Sequence, residues 1–148
     1  MSPILTIDPG ASGGLALLNS ERIVEAFPMR DGMTGQIDAI RHIADTNPGL
    51  TAIIEKVGFH RPGNSAVATA KFARHCGHLE AALYTWGIPY TEVSHAVWMR
   101  ALGTLPKDKA DRKRAIKEIV ARRFPHLTIT LKTSDALGML VWAMQRSN

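Results

Sequence analysis

Cysteine is nearly absent: Cys76 is the single one in 148 residues. No intrachain disulfide can form, and a fold without disulfides belongs most simply in a reducing compartment, so the cytoplasm is the expected location. Long apolar runs are missing too, and nothing approaches the ~20 residues that cross a bilayer. The stretch Met1-Ser2-Pro3-Ile4-Leu5-Thr6-Ile7-Asp8 has no basic residue ahead of its apolar run and meets a carboxylate within it. A secretory leader and a membrane anchor are both disfavoured. Paired ligand spacings of the C-x2-C or H-E-x-x-H kind do not occur among the six scattered histidines, which makes zinc chemistry unattractive. Cys76 falls on an apolar helical stripe and reads as core rather than nucleophile, and no Ser/His/Asp arrangement offers itself.

What is present is an ordinary globular composition, 45% hydrophobic and 21% charged, which excludes a disordered tail or a low-complexity polymer. The length suffices for one domain, residues 1–148, with one sizeable core, and not for two independent lobes. The net charge of +5 is local. From Lys107 to Arg123 there are eight basic side chains (Lys107, Lys109, Arg112, Lys113, Arg114, Lys117, Arg122, Arg123) against Asp108, Asp111 and Glu118, so this segment accounts for all of it. Two readings stand side by side: a footprint for a polyanion such as nucleic acid, or a solvated helix face rich in Lys and Arg.

Patterning predicts an α/β domain. Three short strands, Ile4 to Asp8, Gly13 to Leu18 and Arg22 to Phe27, are joined by turns tight enough to require an antiparallel meander. A helix is expected over Thr34 to Asp45 with Thr34 as N-cap, then a buried strand from Leu50 to Glu55 parallel to the first. The spacing predicts a long helix from about Ser65 to Trp86 with two stripes. Phe72, Cys76, Leu79, Leu83 and Trp86 form an apolar one; Ala66, Ala70, Ala73, Gly77 and Ala81 form one of small residues. The second stripe suits close approach of another helix, from this domain or from a second copy. A fifth strand from Ile88 to Val93, a short helical piece over Ala96 to Leu102, a basic helix from about Asp108 to Arg123, an extended loop from His126 to Leu131 and a last helix from Ser134 to Arg146 complete the chain.

Two of the strands end in acids, Asp8 and Glu55, and a third acid, Asp135, opens the last predicted helix. Singly, each has a modest explanation: a turn residue, an exposed strand end, a favourable charge in a first helical turn. Together they say more, because neighbouring strands lie about 4.8 Å apart and acids at matching ends can share a hard cation when their side chains leave the same face. Convergent carboxylates beside a basic flank point to oxygen-ligated Mg²⁺ or Mn²⁺ acting on a phosphate backbone, with two ions about 3.5–4 Å apart.

Four segments occur in an order with a known counterpart: Ile4-Leu5-Thr6-Ile7-Asp8-Pro9-Gly10 with Ser12-Gly13-Gly14; Ile53-Ile54-Glu55-Lys56-Val57 with Asn64-Ser65-Ala66; Val93-Ser94 with Trp98 and Leu102-Gly103; and Ser134-Asp135-Ala136-Leu137. Over almost its whole length the chain resembles the RuvC-like Holliday junction resolvases, most of all their compact bacterial and phage branch. The resemblance implies a ribonuclease H-like five-stranded mixed sheet in the order 3-2-1-4-5 with helices on both faces. It implies a Mg²⁺-dependent endonuclease with two ions per site, acting as a homodimer on four-way DNA junctions, in a bacterial cytoplasm or in that of a host if phage-encoded. Asp8, Glu55 and Asp135 match the family's metal ligands. The family commonly carries a fourth ligand three residues before the last acid, and here that residue is Lys132. A charged lysine does not bind Mg²⁺, so one metal site is weaker or Lys132 serves the scissile phosphate or the attacking water.

The segment after Glu55 matches a loop that enters the junction in this family, making Phe59, with His60 and Arg61, a candidate for stacking on a base; packing under its own loop is the other reading. Lys107, Lys109, Arg112, Lys113 and Arg114 are expected to hold the junction arms through phosphates. The small-residue stripe of the long helix matches the family's dimerisation helix. Three alternatives keep weight: a binding-only member of the fold, a related nuclease acting on flaps or RNA/DNA hybrids, and a nucleotide-cradling phosphate loop at Asp8-Pro9-Gly10. The last requires two lobes around the nucleotide, and this chain has one.

Overall fold

The structure is a computed structural model that describes residues 1–58 and 62–147. Five strands form one sheet: β1 (Ile4–Asp8), β2 (Gly14–Leu18), β3 (Val24–Pro28), β4 (Thr51–Lys56) and β5 (Tyr90–Ser94), in the order β3-β2-β1-β4-β5. β1, β2 and β3 make the expected antiparallel meander, while β4 lies parallel to β1 and β5 parallel to β4. The helices are α1 (Met33–Thr46), α2 (Ala66–Thr85), α3 (His95–Met99, continued by a 3-10 turn over Arg100–Leu102), α4 (Lys109–Arg123) and α5 (Leu131–Arg146).

Strand alternation divides the core into two layers. Leu5, Ile7, Ala52 and Ile54 face α1 and α2, where they meet Ile40, Ile43, Leu79 and Leu83. Ile4, Ala16 and Leu18 face the other way, against Val120 of α4, Phe124 just beyond its end, and Leu137 and Leu140 of α5. Asp8 shares the parity of Ile4 and Thr6, and Glu55 that of Ile53, so both acids leave the sheet on the α4/α5 face. The condition for two strand ends to face a common ion is met by register alone: Ile7 pairs with Ile54, and the acids are the next residue on each strand.

Three local expectations are corrected. α1 begins a residue earlier than predicted, at Met33, and Gly32 with φ of 76° stands at its N-cap, so Thr34 is not the cap. β3 starts at Val24 because Asn19 caps the preceding turn, accepting from the backbone N–H groups of Glu21 and Ile23 through Oδ1. α5 starts at Leu131, three residues before the predicted Ser134; Thr130 and Thr133 form a reciprocal capping box there. Asp135 therefore lies in the second turn, and a first-turn helix-dipole role does not apply to it.

The apolar stripe of α2 is buried at Leu79 and Leu83, half-buried at Phe72 and Cys76, and open at Trp86, whose ring carries the Arg41 guanidinium 5.3 Å from its centroid. The other stripe faces outward: Ala66, Ala70, Gly77 and Ala81 are exposed and Ala73 half-buried, and a Cβ placed on Gly77 would meet nothing within 4 Å. No helix among the described residues is long and apolar enough to cross a membrane.

Candidate active site

The C-terminal ends of β1 and β4 open into a cleft of about 530 Å³. Asp8, Glu55 and Asp135 line it from three separate elements, and Lys109, Arg112 and Lys113 of α4 line it with them. Residues 127 positions apart in the chain are thus brought together by β1, β4 and α5.

Each acid is placed by its local surroundings. After Asp8 the chain turns sharply, with the Gly13 N–H bonded to the Gly10 carbonyl at 3.0 Å and Gly10 at φ 117°. A side chain on Gly13 would collide with the Asp8 carbonyl oxygen, so only glycine lets the turn fold back against the strand end. Asp135 is held beside β1 because the buried Thr6 hydroxyl donates to the carbonyl of Ala136 at 2.7 Å. Glu55, with 10% of its side chain exposed, accepts at Oε2 from the indole N–H of Trp98 at 2.8 Å and from Nδ1 of His95 at 3.3 Å. Because a carboxylate only accepts, Nδ1 of His95 carries the proton.

Asp135 is 8% exposed and receives no hydrogen bond among the described residues. Its carboxyl is pushed above the ordinary value by burial, and further by the charge of Glu55, while Lys113, His95 and Arg112 pull the other way. The acid thus sits buried, without a hydrogen bond among the described residues, and within the field of the Lys113 and Arg112 charges. No three Asp, Glu, His or Cys side chains among the described residues stand close enough to hold one ion by themselves.

The other predicted residues sort themselves around this cleft. Lys109, Arg112 and Lys113 line it. Lys107 and Arg114 are not among its described lining residues: Lys107 offers its carbonyl to Arg112 at 2.9 Å, and Arg114 pairs with Asp111 on its own helix. Lys132 is exposed in the first turn of α5 and is likewise not part of that lining, although it precedes Asp135 by three residues and shares its side of the helix. Phe59, His60 and Arg61 lie outside the described residues.

His95, Trp98 and Phe72 were not foreseen as site residues. His95 and Phe72 line the cleft, and Trp98 lies just behind Glu55. The one signal available in advance was the tryptophan itself, since a buried indole N–H needs an acceptor; nothing local says that the acceptor is 43 residues away.

The sheet order and its flanking helices give the chain a ribonuclease H-like α/β fold, with a cleft lined by both acids and bases. Within that class the fold is that of RuvC. The chain is similar to Thermus thermophilus RuvC in complex with Holliday junction substrate, with a TM-score of 0.68 over 99% of this chain and 95% of the other at 14% identity. It is also similar to a second Thermus thermophilus RuvC structure, with a TM-score of 0.62 over 98% and 95% at 14% identity. No protein-family model and no curated protein matches the sequence.

Proposed function

We propose that this protein is a divalent-metal-dependent endonuclease that resolves four-way DNA junctions by paired nicks as a homodimer. One observation carries the reading: Asp8, Glu55 and Asp135 line a single cleft together with Lys109, Arg112 and Lys113 of the basic helix α4. The RuvC fold supports it, one such structure being described in complex with a Holliday junction substrate.

The acids fit hard cations. A buried carboxylate such as Asp135, without a hydrogen-bond donor among the described residues and under the charge of Glu55, is stabilised by a bound cation. Mg²⁺ is commonly held by one or two carboxylates with substrate phosphates and waters completing the octahedron, so three protein ligands on one ion are not required. Asp8, Glu55 and Asp135 would hold Mg²⁺ or Mn²⁺, two ions per site. Bound there, such ions supply water activation and stabilisation of the leaving oxygen.

The chain's own residues do the rest. Arg112, Lys113 and Lys109 neutralise phosphates on both sides of the scissile bond, which gives affinity that falls with salt and carries little sequence information. Lys132 leaves α5 on the side of Asp135 and serves the scissile phosphate. The base-stacking role of Phe59, with His60 and Arg61, rests on sequence alone. The outward small-residue face of α2 supports dimerisation, which would set two clefts against one junction.

A second reading, a non-cleaving junction binder, is favoured by the absence of three preassembled ligands for one ion among the described residues and by lysine at position 132. The deciding experiment incubates purified protein with a labelled four-way junction, with and without Mg²⁺ or Mn²⁺, beside flap, duplex and RNA/DNA hybrid competitors. Paired nicks that depend on metal and prefer the four-way substrate are expected. Tight binding without nicks in either metal selects the second reading; preferential hybrid or flap cleavage replaces the substrate.

A further inference from the structure

We infer that Trp98 is a positioning residue that sets the distance and orientation of Glu55 relative to Asp135, and that Gly138 is the gap in α5 that admits it. The inference rests on the reading of these two acids as metal ligands.

Trp98 is wholly buried, and its indole touches both sides of the site. At one edge its N–H donates to Glu55 Oε2 at 2.8 Å. At the other edge the six-membered ring lies on α5. A Cβ added to Gly138 would come 2.6 Å from Cζ3 and 3.3 Å from Cε3 of that ring. Gly138 follows Asp135 by three residues, so the ring rests on the turn of α5 just beyond the buried acid and on the same side of the helix. A rigid planar group thus spans from the strand that carries one carboxylate to the helix that carries the other.

Two details show why these residue types are needed. Phe or Leu would fill the space but offer no N–H, whereas only Trp joins a large rigid ring to a donor at its rim. Glycine is disfavoured within helices relative to alanine, and α5 carries one at its buried centre because any side chain there would displace the indole. With His95 Nδ1 on the same oxygen, both lone pairs of Oε2 are engaged and Oε1 is left for a cation. Glu55 is therefore already oriented when metal arrives.

The test uses the full chain with Mn²⁺ as probe. The protein has three tryptophans, so heteronuclear NMR resolves three indole N–H signals. Glu55→Gln should shift the Trp98 signal and leave Trp86 and Trp142 unmoved, and Mn²⁺ should broaden the Trp98 signal first. Trp98→Phe, which keeps a ring without the N–H, should weaken Mn²⁺ affinity measured by EPR about tenfold or more, the usual effect of removing a group that orients a metal ligand. Gly138→Ala, which keeps the N–H but moves the ring, should weaken it comparably; both variants should bind junctions as wild type does without metal. Unchanged Mn²⁺ affinity in both variants, or a Trp98 signal indifferent to Glu55→Gln, overturns the inference. Wild-type protein that nicks no branched DNA while Trp98→Phe still loses Mn²⁺ would remove the nuclease reading and leave the positioning role standing.

Discussion

The backbone N–H of Gly10 donates to Nε2 of His75 across 2.8 Å, tying the turn that follows Asp8 to the middle of α2. Because Nε2 accepts, Nδ1 must carry the ring proton, and it donates to Gln36 Oε1 at 3.0 Å. The same Gln36 oxygen accepts from Nε2 of His78, while the Gln36 amide donates to the Arg30 carbonyl at 2.7 Å. One neutral imidazole thus links the loop beside the cleft to both helices on the far face of the sheet.

Acid should weaken the fold through this network. Both histidines are held below the ordinary value of 6.5, His75 by burial and then His78, and His78 by burial and then Arg74. The unfolded chain therefore takes up protons near that pH while the fold does not, so stability is lost as pH falls below about 6.5 and levels off below the folded values. Asp135, with its raised value, acts in the opposite sense, so the comparison that isolates His75 is with a His75→Ala variant. Thermal midpoints taken between about pH 8 and about pH 5 should fall by several degrees in wild type and less steeply in the variant. Parallel slopes would disprove it.

Asp135→Asn should stabilise the metal-free protein while abolishing cleavage. It removes a buried charge whose burial outweighs the pull of Lys113 and Arg112, for a gain on the order of 1 kcal/mol at neutral pH. Mg²⁺ should then raise the thermal midpoint of wild type and leave that of the variant nearly unmoved. Asp8→Asn should likewise lose cleavage and keep junction binding; nicking by either variant at the wild-type rate would take that acid out of the site.

The basic helix should not act uniformly. Arg112→Ala and Lys113→Ala remove cations that line the cleft, and each should weaken junction binding of any sequence and lower the salt slope by about one. Arg114→Ala, whose guanidinium pairs with Asp111, should do much less. Equal effects at all three positions, read from binding titrations at several salt concentrations, would mean that the DNA follows the outer face of α4 instead.

Gly77→Arg tests the homodimer. The position is exposed and its surroundings are open, so the monomer should keep its thermal midpoint within a degree or two. Sedimentation should show wild-type dimers and variant monomers. A variant that remains dimeric places the interface elsewhere.

Much of the site was legible before any coordinates. Alternation along Ile4–Asp8 and Thr51–Lys56 determined which side chains share a face, and two acids at strand ends with matching parity then had to emerge together once the strands paired in parallel. The basic helix and the small-residue stripe of α2 followed from composition and period in the same way, while the outward direction of that stripe appears only in the packed fold. The start of α5 is hidden in the sequence because its capping box uses Thr133 in place of the usual Glu or Gln, and Ser134 is the more obvious boundary signal.

By itself the sequence determined what depends on neighbours a few residues apart: strands, helices, faces and the acids that end the strands. The tertiary structure alone decided which donor holds Glu55, which cations of α4 face the cleft, and which helix holds the turn after Asp8. Those choices depend on how elements pack across separations of 43, 65 and 130 residues, where a shift of one residue in register or a small rotation of a helix exchanges one partner for another. No local pattern encodes that geometry, because it exists only once the layers have closed on the sheet.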